Sequence, residues 1–275
     1  MIEIIGYGGI GVTMFAFLSG IGLWQSLERN NNIERFYIKR IQRVGIPYLL
    51  ISAAFNLYFY IGIHRNLAQF VADLCCVSFW QEGRGAWYVA WIIPVYLIYP
   101  LYAKIAHKHS WISLIMVAFI MLVISMKGIP TRFQSVAGAT VAFFIGDFFA
   151  KYIKEDKIWC LLAMGSLIFM APIYLAGILR NQTTYVFFFA AVGISLCAIF
   201  TVALKYIPNT LKRFLQRVGE VSLECYLVNI YLITVSRHLF SEQMSSGLGA
   251  IIYLMIAILG IIVSLLIGKI RKRVN

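Results

Sequence analysis

Three cations stand within five residues of FYIKRIQRVGIPY, Phe36 to Tyr48: Lys39, Arg40 and Arg43, just ahead of a proline and a long apolar run. On a helix Arg35, Lys39, Arg40 and Arg43 fall within an arc of about 140°, opposite Tyr37, Ile38, Ile41 and Val44. Arg40 and Arg43, at i and i+3, can both reach one phosphate-bearing ligand, each guanidinium offering paired donors in a fixed fork. Anionic lipid headgroups would be held by the same grouping. The pattern alone leaves lipid and soluble anion open. Two carboxylates, Glu220 and Glu224 in VGEVSLECYLVN, are four apart and share a face on one helix. They are candidates for proton transfer, with a local Arg217 to Glu220 pair as the plainer reading of the first. Asp147 in FFIGDFF is the other acid expected inside the membrane. The histidines fall at the ends of spans or in loops, His64 and His238 on one side, His107 and His109 beside Lys104 and Lys108 on the other. The five cysteines form neither a disulfide framework nor, with the histidines, a metal motif, so no metal is assigned.

The elements that must position these residues follow from composition. With 61% hydrophobic and 13% charged residues in 275, the chain cannot close around one soluble core. It reads as an all-α polytopic transmembrane helix bundle. A net charge of +13 then reports topology rather than nucleic acid. At 1.5 Å per residue, nine apolar stretches are long enough to cross ~30 Å of hydrocarbon, near 4–27, 44–63, 86–103, 111–126, 135–150, 158–179, 185–204, 218–236 and 248–268. With the N-terminus outside, eighteen Lys and Arg fall in cytoplasmic connections and six outside, which also places the C-terminus in the cytoplasm. The segment 67–80, LAQFVADLCCVSFW, is apolar but too short to span, and counting it would invert the charge balance. It is expected as an external re-entrant or interfacial helix, or as a simple connecting loop. No internal repeat or soluble extension is evident, no basic residue precedes the first apolar segment as in a cleavable signal, and residues 1–275 are expected to form one membrane-embedded domain.

Several segments carry a family resemblance. GGIGVTMFAFLSGIGLWQSL followed by FYIKRIQRVGIPYLL resembles the acyltransferase 3 family, whose members have a Gly-Val-x-x-Phe-Phe-x-x-Ser-Gly segment and then an Arg-x-x-Arg helix ending in Pro-Tyr. GAWYVAWIIPVYLIYPLY is similar to the family's Trp-containing helix with its Tyr-x-x-x-Pro end, and VGEVSLECYLVNIYL to its Gly-x-x-Ser-x-x-x-Tyr-Leu-x-His helix. The resemblance implies a bacterial plasma-membrane O-acyltransferase that moves an acyl group, usually acetyl, from cytoplasmic acyl-coenzyme A to a hydroxyl of a cell-surface or lipid-linked glycan. It implies that Arg40 and Arg43, with Lys39 adding charge, bind the acetyl-CoA donor. Phe15, Ser19 and Gly20 match the preceding segment, where small residues permit close helix packing. Arg84, Trp87 and Tyr88 become candidate acceptor contacts, because aromatic faces stack on sugar rings; an interfacial aromatic belt would use the same residues.

Two departures stand out. Asn229 occupies the position of the family's histidine and can hydrogen-bond but not shuttle a proton. The family's first helix, with its proposed catalytic His, is expected upstream of the segment that begins here at Gly9, so nine spans and an external N-terminus are what its absence would produce. On that expectation the catalytic residue is unassigned beyond Glu220 and Glu224, and activity is in question. The alternatives from other classes are a transporter or flippase of lipid-linked glycan and an inactive membrane subunit. Expected partners are membrane lipids and a glycan or lipid-linked saccharide, with a homo-oligomer left open and no nucleic acid.

Overall fold

The computed structural model describes residues 8–30, 32–62, 66–125, 131–153, 157–162, 164–165, 182–240 and 248–274, and these contain helices and turns but no strand. Four helices are long and apolar enough to cross a bilayer: Gly9–Arg29, Ile33–Gly62, Trp87–Ala106 and Gly249–Lys269. A bent pair, Asn209–Glu220 with Ser222–Leu239, makes a fifth if it is one span. The shorter apolar helices Val136–Phe149 and Phe188–Ala203, and the helix Ile112–Ser125, occupy three more of the expected stretches. The stretch 158–179 lies mostly outside the described residues, as does His64.

The chain folds as two compact units. One comprises Glu3–Phe36 and Pro94–Ile207. Its centre is α1 (Gly8–Arg29) packed against α8 (Thr131–Phe149) and α9 (Gln182–Ala203), with α7 (Ile112–Ser125) on the far side of α8. Glycines set the spacing. A Cβ added at Gly20 would overlap the Phe143 carbonyl oxygen, and one at Gly146 would overlap the Phe17 carbonyl oxygen. Gly20 therefore serves the close packing expected of the Ser19–Gly20 segment, backbone against backbone. Thr13 meets Gly193 of α9 through its side chain, and its hydroxyl donates to the Phe189 carbonyl oxygen at 2.9 Å.

Asp147 of α8 is fully buried in this unit. Such a carboxyl survives in an apolar interior only where donors replace water. Three hydroxyls do so: Tyr99 at 2.5 Å, Ser113 at 2.9 Å and Tyr102 at 3.0 Å, the first and third from the second half of α6 (Trp87–Ala106) and the second from α7. Nearby, the His107 ring lies 4.0 Å from that of Trp24 on α1. Burial holds the His107 imidazole below the ordinary histidine range, partly opposed by the Glu28 carboxylate.

The other unit comprises Tyr37–Ile93 and Pro208–Asn275 and contains every residue singled out above for donor, acceptor or proton chemistry. Here α11 (Ser222–Leu239) packs between α3 (Ile46–Gly62) and α12 (Leu248–Val274), while α4 (Leu67–Leu74) folds back on α3 and α5 (Val77–Glu82) packs against α4. α4 and α5 correct the expected single element over 67–80. The helix breaks at Cys75–Cys76, where Cys76 takes a left-handed backbone with φ 60°, and the second helix ends on Gly83 at φ 73°. Asn66 caps α4 by accepting from the Gln69 N–H at 2.8 Å.

Candidate functional site

The basic turn is not a separate surface helix followed by a span. α2 (Ile33–Arg40) continues through a π-helical turn, Ile41–Gly45, into α3, so the helical run from Ile33 to Gly62 is unbroken. Pro47 supplies the reason. It has no N–H to give the Arg43 carbonyl, and in a regular α-helix its ring would strike that carbonyl. Widening the turn resolves the conflict, and the Ile46 N–H bonds the Ile41 carbonyl instead. The wider turn also rotates Arg43 away from where a regular helical wheel would set it relative to Arg40. Lys39 and Arg43 are exposed and Arg40 is half-buried. Arg43 thus projects from the π turn, and Lys39 and Arg40 from the α-helical turn just before it.

One and a half turns further along, the same helix carries a polar stripe. Tyr48, Ser52 and Asn56 recur every four residues and are all buried. The Asn56 amide donates to the Ser52 hydroxyl at 2.9 Å, and Ser52 shares a 2.7 Å hydrogen bond with the Tyr231 hydroxyl of α11. Phe55 stacks on the Tyr231 ring with centroids 5.2 Å apart. The Tyr48 hydroxyl donates to the Asp73 carbonyl at 2.9 Å and receives the Cys76 thiol at 3.1 Å, tying the broken α4–α5 segment to α3. Burial pushes the Cys76 thiol up, so at neutral pH it stays protonated and packs as a weak donor. This seam was not singled out in the sequence. Its signal was there, a polar residue at every fourth position in IPYLLISAAFNL.

The acceptor candidates divide. Arg84, between α5 and α6, pairs with Glu82 at 2.5 Å. Trp87 opens α6 half-buried. Tyr88 is buried; its N–H donates to the Tyr226 hydroxyl at 3.2 Å, and the two rings meet edge to face at 5.9 Å. Tyr88 therefore joins α6 to α11, and Arg84 and Trp87 are the members of the trio at the surface.

The two glutamates do not share one helix face. The helix expected over 218–236 is broken at Val221, whose φ of −114° leaves the helical region, and α10 (Asn209–Glu220) meets α11 at a bend of 64°. The cause lies in the pattern. Leu211, Phe214, Leu215 and Val218 line one side of α10, while Lys212, Arg213, Gln216 and Arg217 occupy the other, so α10 suits a membrane surface and α11 its interior. Glu220 ends α10 exposed, whereas Glu224, in the first turn of α11, is 1% exposed. Asn229 lies further along α11 against Gly260 of α12, where an added Cβ would overlap its amide. Among the described residues no group of three or more metal-ligating side chains comes together.

Against known proteins, the model of a family described as an acyltransferase domain, acyltransferase 3, matches residues 3–269. Searches of curated proteins and of solved structures gave no match. The match takes in both units, the arginine turn and the apolar helices, and the chain therefore belongs to the acyltransferase 3 family of membrane acyltransferases.

Proposed function

We propose that this membrane acyltransferase takes its acyl group, most simply acetyl, from acyl-coenzyme A and passes it to a hydroxyl of a cell-surface or lipid-linked glycan. In this reading the chain crosses the cell membrane nine times with its C-terminus in the cytoplasm, where the donor is found. Arg40 and Arg43 grip the donor phosphates with Lys39 adding charge, and the thioester extends along the helix toward the buried stripe of Tyr48, Ser52 and Asn56. Arg84 and Trp87 meet the acceptor. The acceptor oxygen attacks the thioester carbonyl, the carbon–sulfur bond breaks, and coenzyme A leaves as a thiolate. The proton lost by the acceptor goes to a carboxylate, for which Glu224, enclosed in the first turn of α11, is better placed than the exposed Glu220.

The observation that carries this reading is the continuity of one helical run, Ile33–Gly62, which bears the cationic π turn and then the polar stripe. Ser52 lies roughly 18 Å along the axis from Arg40, at 1.5 Å per residue. That distance lets a polyanionic head and a reactive end at the tip of a long arm be served by one rigid element.

The test is transfer by purified, reconstituted protein from radiolabelled acetyl-coenzyme A to glycan, with Arg40→Ala and Arg43→Ala. Each loss of a charge-assisted contact to phosphate should raise KM for the donor about tenfold, with kcat less affected. Donor binding without transfer would make the chain a donor-binding subunit. Unchanged binding and transfer in the double variant would remove the role assigned to the pair.

A further inference from the structure

A cavity of about 510 Å³ opens between α10 and the C-terminal part of α12. Phe214, Val221 and Leu265 line it together with the aliphatic stems of Arg217, Lys269 and Glu220, so its surface is mostly carbon and the charges belong to the ends of those stems. Gly268 lets α12 close on Val221 beside it, since a Cβ there would stand 2.5 Å from a Val221 methyl group. Leu265 and Lys269 are one turn apart on α12, as Phe214 and Arg217 are on α10. Each helix therefore contributes one apolar contact and one cation to the same opening.

Two features fix the depth of this cavity. Lys269 is the last residue of the apolar span Gly249–Lys269, which is where hydrocarbon gives way to headgroups. α10 turns 64° from α11 and leaves Phe214 51%, Leu211 45% and Leu215 41% exposed, an apolar face that water would not tolerate but the headgroup and acyl boundary would. The cavity sits at the junction of a span and an interfacial helix, with cations at headgroup level and apolar side chains beside them.

We propose that this cavity binds one glycerophospholipid whose headgroup ends in an ammonium, such as phosphatidylethanolamine. The phosphodiester is held by Arg217 and Lys269, Glu220 accepts from the ammonium, and the upper part of an acyl chain lies on Phe214, Val221 and Leu265. Two cations alone would favour any anionic lipid. Glu220 decides the headgroup, because its carboxylate attracts an ammonium as both charge and donor, whereas the neutral glycerol head of phosphatidylglycerol offers it a hydroxyl alone. The lipid would brace α10 against α12 at the bend before Glu224. The proposal stands whether or not the transfer reaction assigned above is correct.

The experiment uses the full chain, purified in detergent, stripped of lipid and offered equimolar phosphatidylethanolamine, phosphatidylglycerol and phosphatidylcholine in nanodiscs, with retained lipid counted by native mass spectrometry. The wild-type protein should retain phosphatidylethanolamine about tenfold over phosphatidylglycerol. Arg217→Gln/Lys269→Gln should lower retention of all phospholipids about tenfold. Glu220→Gln, which alters no apolar contact and is read independently if the double variant aggregates, should keep a bound phospholipid and lose the preference. A wild-type protein without headgroup preference overturns the proposal, as does full retention by the double variant or an unchanged preference in Glu220→Gln. Equal competition by soluble phosphoethanolamine would show an anion site without a lipid and overturns it too.

Discussion

Gly20 and Gly22 lie two residues apart on α1, and replacing each with Ala should move stability in opposite directions. Both changes remove backbone freedom from the unfolded chain and favour the helix by up to about 1 kcal/mol. They part on what the new methyl meets. At Gly22 nothing lies within 4 Å. At Gly20 the Cβ would overlap the Phe143 carbonyl oxygen and stand 2.8 Å from the Asp147 nitrogen, both backbone atoms of α8 that cannot swing aside as a side chain would. Overpacking of this kind costs about 1–3 kcal/mol, and rigid backbone on both sides argues for the upper end. Set against the helix gain, Gly20→Ala should lose roughly 1–2 kcal/mol while Gly22→Ala gains up to about 1. At about 2–4 °C per kcal/mol for a chain of this order, the two variants should melt some 4–12 °C apart. Thermal unfolding in detergent, followed by loss of the monodisperse size-exclusion peak, measures the difference. Equal melting temperatures would refute the close crossing of α1 on α8. If Gly146→Ala, the reciprocal position facing the Phe17 carbonyl, proved neutral, the same conclusion would follow.

Tyr99→Phe and Ser113→Ala should each destabilise the protein by about 1–3 kcal/mol, because each strips a donor from a buried carboxyl. Both should fall toward neutrality in an Asp147→Leu background, whereas equal effects in the two backgrounds would show that the hydroxyls do not serve Asp147. A double-mutant cycle on Ser52→Ala and Tyr231→Phe should give a coupling of about 0.5–1.7 kcal/mol, the range of interhelical hydrogen bonds inside membranes; additive losses would remove the α3–α11 bond from the seam. For His107, the folded pKa lies below the ordinary value, so its neutral form is favoured by folding, and a penalty develops as pH falls below the histidine range. Tryptophan emission should accordingly titrate with a midpoint below about 6.5, since an imidazolium quenches the Trp24 ring it touches. The titration should vanish in Trp24→Phe and in His107→Gln, and a midpoint above that value would contradict the burial of the ring.

Helical class, membrane embedding and family were legible because each rests on long, redundant signals. Apolar length needs no partner to be read, and the motif segments from Gly9 to Tyr231 agree in order. What escaped the sequence was local and depended on neighbours. Glu220 and Glu224 look like one face only if the helix continues, and the nearest breaker, Gly219, sits inside α10 rather than marking where it ends. The break follows from a change of solvent, since α10 suits an interface and α11 an interior, and neither period by itself shows where one yields to the other. Tyr88 reads as an interfacial aromatic because its position in the sequence is terminal to a span, yet Tyr226, far away along the chain, supplies the hydroxyl that draws it inward.

The π turn shows how one residue joins these scales. Pro47 belongs to a motif noticed for its Pro-Tyr ending, and in a uniform helix it would merely kink the span. Placed four residues after Arg43, it instead forces the wide turn that separates Arg43 from Arg40, while the helix resumes in register to carry Tyr48, Ser52 and Asn56 on one buried side. A residue that only stopped the helix would have cut the cationic turn loose from the polar seam. A residue that permitted a regular helix would have left Arg40 and Arg43 in closer angular register. Pro47→Ala should therefore restore α-helical spacing and raise KM for the acyl donor while leaving the protein folded, because relief of the steric conflict and the recovered N–H offset the ring carbons lost from a buried site. An unaltered KM would mean that the separation of the two guanidinium groups is incidental to what they hold.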